Sequence, residues 1–285
     1  MSFADFLKLV RVNQWYKNLL IFLPLVFGGF FLSLTNLVLI LLGLFSLCLM
    51  SSVNYIINDF VDRKRDSFNP EKSKKPLVTG KIKDYQALIV LFFFLSGSLL
   101  IALLLPFMFF ISVVALFVSS QLYSLFFKNE VILDIFFIAF NFVIRVISGT
   151  FILNTYISPW LVLCPFFLSI YLSVGKREAE LTFLGKDAYM HRDVLKHYSK
   201  EVTNSLMIVS TSLLVISYGL YTFLSAHKNL IWTMPLALYI VFRYTYLIYS
   251  GSDIARHPEK FLKDGRLVWG IFFWFILVLL IIYIS

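Results

Sequence analysis

The sequence predicts an all-α integral membrane protein: a bundle of about nine transmembrane helices with a polar cavity facing the cytoplasm. Three observations predict it. Of 285 residues, 60% are hydrophobic, 14% are charged and 32 are Phe, giving a mean hydropathy of +0.85. The apolar residues fall into runs of the ~20-residue length that a ~30 Å hydrocarbon slab requires, more than a soluble core could bury. Finally, all but three of the 25 Lys and Arg lie in segments that fall on one side if the spans alternate.

In chain order the expected spans are Asn18–Leu34, Asn36–Ile57, Tyr85–Leu105, Phe107–Phe127, Val131–Leu153, Pro159–Gly175, Thr203–Leu224, Leu230–Tyr249 and Leu267–Ile284. The first is short and interrupted by Pro24 and Gly28-Gly29. The second contains "LVLILLGLFSLCLMSSVNYII", which carries no charge at all. Pro106 separates the third from the fourth and Pro159 opens the sixth, as helix breakers do. The fifth carries Arg145 and the eighth Arg243. The amphipathic start "MSFADFLKLVRVNQWYKN" lacks the apolar stretch of a cleavable signal peptide. Cys48 and Cys164 lie in apolar runs, where they act as small hydrophobes, so no disulfide framework is expected. No internal repeat stands out, and a single domain over 1–285 is expected.

Charge sets the orientation. Lys8, Arg11 and Lys17, the 58–84 loop, Lys128, the 176–200 loop and the 251–266 loop hold the basic residues, whereas the opposite side holds only Lys228. By the positive-inside rule the basic side is cytoplasmic. The net charge of +9 therefore reflects topology, and no nucleic-acid partner is expected.

The chemistry concentrates on that side. If the second helix continues past its apolar run, Asn54, Asn58, Asp62 and Asp66 recur every four residues on one face, with Asp59 one step around. Two readings fit "NDFVDRKRD": a self-neutralised, solvated helix end, or an oxygen-ligand site for Mg²⁺, which takes one or two carboxylates plus substrate phosphates. Lys72, Lys74 and Lys75 follow in a loop punctuated by Pro and Gly, where ammonium groups could take the remaining charge of a metal-bridged diphosphate. Gln14, Lys17 and Asn18 stand before the first span, and Tyr123, Lys128 and Asp134 around the turn after the fourth. Asp134, Ile138, Asn141, Arg145 and Ser148 form one stripe on the fifth helix. An Arg near mid-span is costly, so Arg145 is expected to meet either another helix or a bound anion. Lys176, Arg177, Glu178 and Glu180 end the sixth span.

These residues resemble the UbiA-type intramembrane prenyltransferase superfamily, whose N-D-x-x-D-x-x-x-D signature is matched by Asn58, Asp59, Asp62 and Asp66. Within it, the polyprenyl-phosphate (decaprenyl-phosphate) phosphoribosyltransferase branch is similar in Gln14-Trp15-x-Lys17-Asn18, in Pro70-x-Lys72 with Lys75-Pro76 and Gly80, and in Tyr123-Ser124-Leu125-x-x-Lys128 with Asp134. It is also similar in Arg145-x-x-x-Gly149, in Gly175-Lys176-Arg177-x-Ala179-Glu180-Leu181 and in "HPEKFLKDGRLV". The chain departs from that branch at Arg11-Val12-Asn13, Asn69-Pro70, Ser73 and Lys75; the Arg-to-Lys change at Lys75 loses bidentate phosphate recognition. Prenyl-diphosphate-using members carry a second D-x-x-x-D motif after the sixth span. Here that place reads Lys176-Arg177-Glu178-Ala179-Glu180, with no aspartate until Asp187.

The resemblance implies transfer of a 5-phosphoribosyl group from phosphoribosyl pyrophosphate (PRPP) to a polyprenyl phosphate, with Mg²⁺ as cofactor and a homo-oligomer left open. Asn58, Asp62 and Asp66 would hold the metal, with Asp59 supporting. Lys17, Lys72 and Lys75 would stabilise the departing diphosphate, and Asp134 the charge developing on ribose C1. Lys128, Arg145, Lys176 and Arg177 are candidates to hold the lipid phosphate and the ribose 5-phosphate. Gln14, Asn54, Tyr123, Asn141 and Glu180 complete the substrate-binding candidates. Two alternatives stand beside this reading. One is a prenyltransferase joining a polyprenyl diphosphate to an aromatic or glyceryl acceptor. The other is a transporter, disfavoured because the polar residues gather at one face rather than at the midplane of inverted repeats.

Overall fold

The structure, a computed structural model, describes residues 2–69, 72–184 and 193–284. Pro70 and Asp187, named above for their motif positions, lie outside them. Every regular element among the described residues is helical. Eight helices there are long and apolar enough to cross a membrane. The expected Asn18–Leu34 span is not one of them: it is built as a 3₁₀ stretch, Val12–Phe22, and a short helix, Leu23–Phe27, ended by a turn at Gly28 and Gly29, the latter at φ 78°. Pro24 opens that helix and the glycines end it, each in the position such residues favour.

By packing, the chain divides into two compact units. Unit 1 holds residues 1–128 and 144–156; unit 2 holds 129–143 and 157–285.

Unit 1 begins with α1 (Phe3–Val10), capped by the Ser2 hydroxyl and ended by Arg11 in the left-handed region. After α2 (Leu23–Phe27) comes α3 (Leu34–Val61), 28 residues, or about 42 Å at 1.5 Å per residue. That exceeds the ~30 Å hydrocarbon slab that a span has to cross. A single turn, α4 (Arg63–Asp66), follows; then α5 (Asp84–Leu103), α6 (Phe107–Leu122) with a π turn at Tyr123–Phe127, and the later part of α7 (Leu133–Leu153). Ile21, Leu47, Met50, Phe109, Val113 and Ile144 form one core cluster. A second joins Leu9, Val10 and Ile56 to Leu77, Ile82 and Ala87, and so pins the 72–83 loop against α3 and α5. Inside the bundle, Ser46 and Ser98 exchange hydroxyl-to-carbonyl bonds of 2.9 Å, the small-residue, polar contact that brings membrane helices close.

Unit 2 contains the start of α7, then α8 (Pro159–Leu184), α9 (Lys200–Leu224), α10 (Met234–Tyr249), α11 (Asp253–Arg256) and α12 (Gly265–Tyr283). Its core is built on Ile135, Tyr171, Val174, Met207, Leu247, Ile248 and Leu267. The sixth expected span stops at Gly175, but α8 runs on to Leu184. Lys176, Arg177, Glu178 and Glu180 are therefore helical residues and not loop residues. Hydropathy ends where the apolar side chains end, whereas a helix continues as long as its backbone bonds do.

Candidate active site

The aspartates expected on one helix face meet different partners. The last residue of α3 is Val61, and Asp62, at φ −89° and ψ 0°, separates it from α4, while the Asp62 N–H still bonds the Asn58 carbonyl at 2.9 Å and the Asp66 N–H the Asp62 carbonyl at 2.8 Å. Asp59 and Asp66 are buried, each 2% exposed, and converge on one cation. Lys75 Nζ donates to Asp59 Oδ1 at 2.7 Å and to Asp66 Oδ2 at 2.5 Å. Arg11 Nη2 reaches the same Asp59 Oδ1 at 2.5 Å, and Lys72 Nζ stands 3.7 Å from Asp66 Oδ1. Asp62 points elsewhere and pairs with Lys128. Asn58 is half-buried. The carboxylates that converge on Lys75 are therefore Asp59 and Asp66, with Asp62 of the expected Asn58, Asp62 and Asp66 set on a different lysine.

Local structure explains each position. Asn69 Oδ1 accepts from the Lys72 backbone N–H at 3.0 Å, starting the 3₁₀ turn Lys72–Lys74. Leu77 and Ile82, both fully buried, anchor the loop that follows. Together they aim Lys75 at the acids. Lys128 sits directly after the π turn, where its N–H bonds the Tyr123 carbonyl five residues back at 2.9 Å; such turns re-aim the residues beside them. Arg11 is a site residue that motif reading missed as a candidate. Its φ of 51° is uncommon for a residue with a side chain. The bond to Asp59 and the Tyr55 ring 4.7 Å from its guanidinium hold it there.

Deeper in unit 1, Asn54 Oδ1 accepts from Gln121 Nε2 at 2.7 Å. Arg145 meets another segment, one of the two outcomes expected for it: its Nε donates to Asn18 Oδ1 at 2.7 Å. Asn18, fully buried, also accepts from Ser51 at 3.2 Å and donates to Cys48 Sγ at 3.3 Å. Gly149 permits this approach, because a Cβ there would lie 2.3 Å from the Ile21 carbonyl oxygen. Gln14, Lys17, Lys72 and Tyr123 are half-buried.

In unit 2, Asp134 and Arg177 were expected to face substrate. Both are buried, 0% and 1% exposed, and paired with each other. Arg177 Nη2 and Nε donate to Asp134 Oδ2 at 2.8 and 3.2 Å, and the Tyr198 hydroxyl donates to Oδ1 at 2.9 Å. The same hydroxyl accepts from the Ile132 N–H at 2.8 Å, at a residue held at φ 70°. Burial disfavours the phenolate of Tyr198, and the Asp134 carboxylate adds to that, so its pKa lies well above the ordinary range. This is the geometry of a core fastening: both charges expected to face substrate are paired with each other in the interior of unit 2. Glu178 accepts from Thr182 at 3.2 Å and from Thr203. Asn141, Lys176 and Glu180 are half-buried. Arg243, inside its span as expected, pairs with Asp264 at 2.6 Å, and Asp264 in turn caps α12.

Eight apolar helices long enough to cross a membrane, with Asp59 and Asp66 buried among cations near the end of α3, are the features of a multi-pass membrane protein. The chain belongs to the UbiA prenyltransferase family, whose description matches residues 21–277. A relative named decaprenyl-phosphate phosphoribosyltransferase from Mycolicibacterium smegmatis is 28% identical over 280 residues, covering 92% of this chain and 87% of that protein. One of the same name from Mycobacterium tuberculosis is 28% identical over 277 residues, covering 93% and 89%. Among solved structures, a UbiA homolog from Archaeoglobus fulgidus bound to DMAPP and Mg²⁺ shares the fold with a TM-score of 0.73, at 21% identity, over 99% of this chain and all of that one.

Proposed function

We propose that the protein transfers the 5-phosphoribosyl group of PRPP to a polyprenyl phosphate, releasing diphosphate, at a site open to the cytoplasm. One observation carries the choice of donor. The place of a second aspartate motif is taken by Lys176–Glu180, which contains no aspartate, and two acids near it are engaged: Asp134 with Arg177 and Tyr198, Glu178 with Thr182 and Thr203. That favours one metal-bridged diphosphate, at Asp59 and Asp66. The names of the mycobacterial relatives support the same donor.

Mg²⁺ suits the donors present. Asp59 and Asp66 already converge on a single cation position. No group of three or more His, Cys, Asp or Glu side chains forms a ready metal cage among the described residues, and one or two carboxylates plus phosphate oxygens is how Mg²⁺ usually binds beside a substrate. Asp59 and Asp66 would hold it, with Asn58 and Asp62 adjacent; when bound it withdraws charge from the leaving diphosphate. Lys17, Lys72 and Lys75 stabilise that diphosphate. The ribose C1–oxygen bond breaks with its electron pair leaving on diphosphate, and an oxygen of the lipid phosphate forms the new bond to C1. The acceptor is already an anion and needs no general base. Gln14, Asn54, Tyr123, Lys128, Asn141, Arg145, Lys176 and Glu180 remain the candidates to position the two substrates.

The test is incubation of purified protein with labelled PRPP, Mg²⁺ and polyprenyl phosphate. A labelled lipid is expected. Turnover of a polyprenyl diphosphate with an aromatic acceptor, and none of PRPP, would overturn the proposal.

A further inference from the structure

Lys75 holds a position that a lysine assigned only to phosphate would not need. Its ammonium lies between two carboxylates whose side chains are each 3% exposed, at 2.7 and 2.5 Å. It occupies the point on which Asp59 and Asp66 converge, the point a hard cation would take. Arg11 and Lys72 stand around the same two acids, so three cations already face two anions. A metal arriving alone has to displace Lys75 against like charge and leave its ammonium without a carboxylate. A metal arriving with a diphosphate brings a new partner for that ammonium.

We propose that Lys75 is an exchangeable internal counter-ion. It neutralises Asp59 and Asp66 while no metal is bound, then passes to the diphosphate when metal and diphosphate enter together. The site thereby rejects bare divalent cation and loads metal only with its anion. The inference rests on the diphosphate-handling reading above, but not on which diphosphate is the substrate. Lys75 is hydrogen-bonded by its own backbone N–H to the Lys72 carbonyl at 3.0 Å and anchored by buried Leu77. Its side chain can therefore change partner while its loop stays in place.

The experiment uses the full chain in lipid nanodiscs and Mn²⁺ as the probe, with no PRPP present. Equilibrium dialysis measures Mn²⁺ bound by wild type and by Lys75→Met, which keeps the length of the side chain and removes its charge. At least tenfold tighter Mn²⁺ binding is expected in the variant, together with a thermal midpoint that rises on adding Mn²⁺ far more than that of wild type. Lys75→Gln, which keeps an N–H donor, gives the same answer if the Met variant does not fold. Adding inorganic diphosphate should raise Mn²⁺ retention by wild type and do so much less in either variant. Equal or weaker Mn²⁺ binding in the variants, or no effect of diphosphate on wild type, overturns the exchange. A protein that passes these tests but does not turn over PRPP loses the donor assignment and keeps the exchange; the reverse result loses the exchange alone.

Discussion

Replacing Arg177 by Met removes one half of a pair buried to 1% and 0% exposure. Asp134 then keeps one neutral donor, the Tyr198 hydroxyl at 2.9 Å, in place of a guanidinium giving two N–H bonds. Breaking a buried pair by deleting one partner costs ~3–5 kcal/mol. Asp134→Leu costs a similar amount, because the guanidinium becomes the stranded charge. The double variant strands neither charge. Its main loss is the acceptor of the Tyr198 hydroxyl, ~1–3 kcal/mol for an unsatisfied buried group. Summed single effects of about 6–10 kcal/mol against about 1–3 for the double leave a coupling of several kcal/mol.

Thermal unfolding of the four proteins, followed by tryptophan fluorescence in one detergent, measures that coupling. Turnover with PRPP supplies the second readout. A fastening role predicts that both singles are strongly destabilised, that the double recovers most of the loss, and that KM is near wild type in the folded fraction of the double. If Arg177 binds a substrate phosphate instead, Arg177→Met will be as stable as wild type, and every variant lacking Arg177 will show KM raised at least tenfold. That result would refute the reasoning from burial.

Three further outcomes are expected. Asp66→Ala removes one of the two converging carboxylates and should abolish transfer, as should chelation of Mg²⁺ from wild type; full activity in the variant would return the acids to a structural role. Gly149→Ala places a Cβ 2.3 Å from a backbone oxygen and should lower stability by ~1–3 kcal/mol, measured as a lower thermal midpoint. For Glu259, burial opposes ionisation, but the His257 hydrogen bond, a backbone N–H and the nearby Lys176 outweigh it and hold the carboxyl at about 2 against an ordinary 4.5. A depressed carboxyl stabilises the fold above its unfolded pKa and loses that contribution as pH falls from 4.5 to about 2. Glu259→Gln should therefore flatten the stability profile across that window, and an unchanged profile would count against the pairing.

Much of the architecture is legible in the sequence because the bilayer reads it by a simple rule. Unbroken apolar length marks a span, and the eight qualifying helices correspond to eight of the nine expected runs. The exception was already signalled by Pro24 and Gly28-Gly29. The end of α8 was not, because Lys176 to Leu184 are helical without being apolar. Arg145 was legible as a demand for a partner, since an intramembrane guanidinium must have one. That the partner includes Asn18, 127 residues away, was not.

The same limit governs the site. Charge within a hydrophobic chain announces that pairs exist, because each unpaired buried charge would cost several kcal/mol; it does not announce which pairs. Arg11 finds Asp59 across 48 residues, Lys128 finds Asp62 across 66, and Arg177 finds Asp134 across 43. Sequence spacing placed Asp62 and Asp66 together on one helix face, but they pair with different lysines, Lys128 and Lys75, brought in by separate loops. Residue type therefore identified the chemistry, acids with ammonium groups beside them, while pairing divides those charges between two kinds of work. Asp134 and Arg177, paired with each other in the core beside Tyr198, fasten helices. Asp59 and Asp66, buried yet joined by a lysine on an anchored loop, hold a cation that can be exchanged.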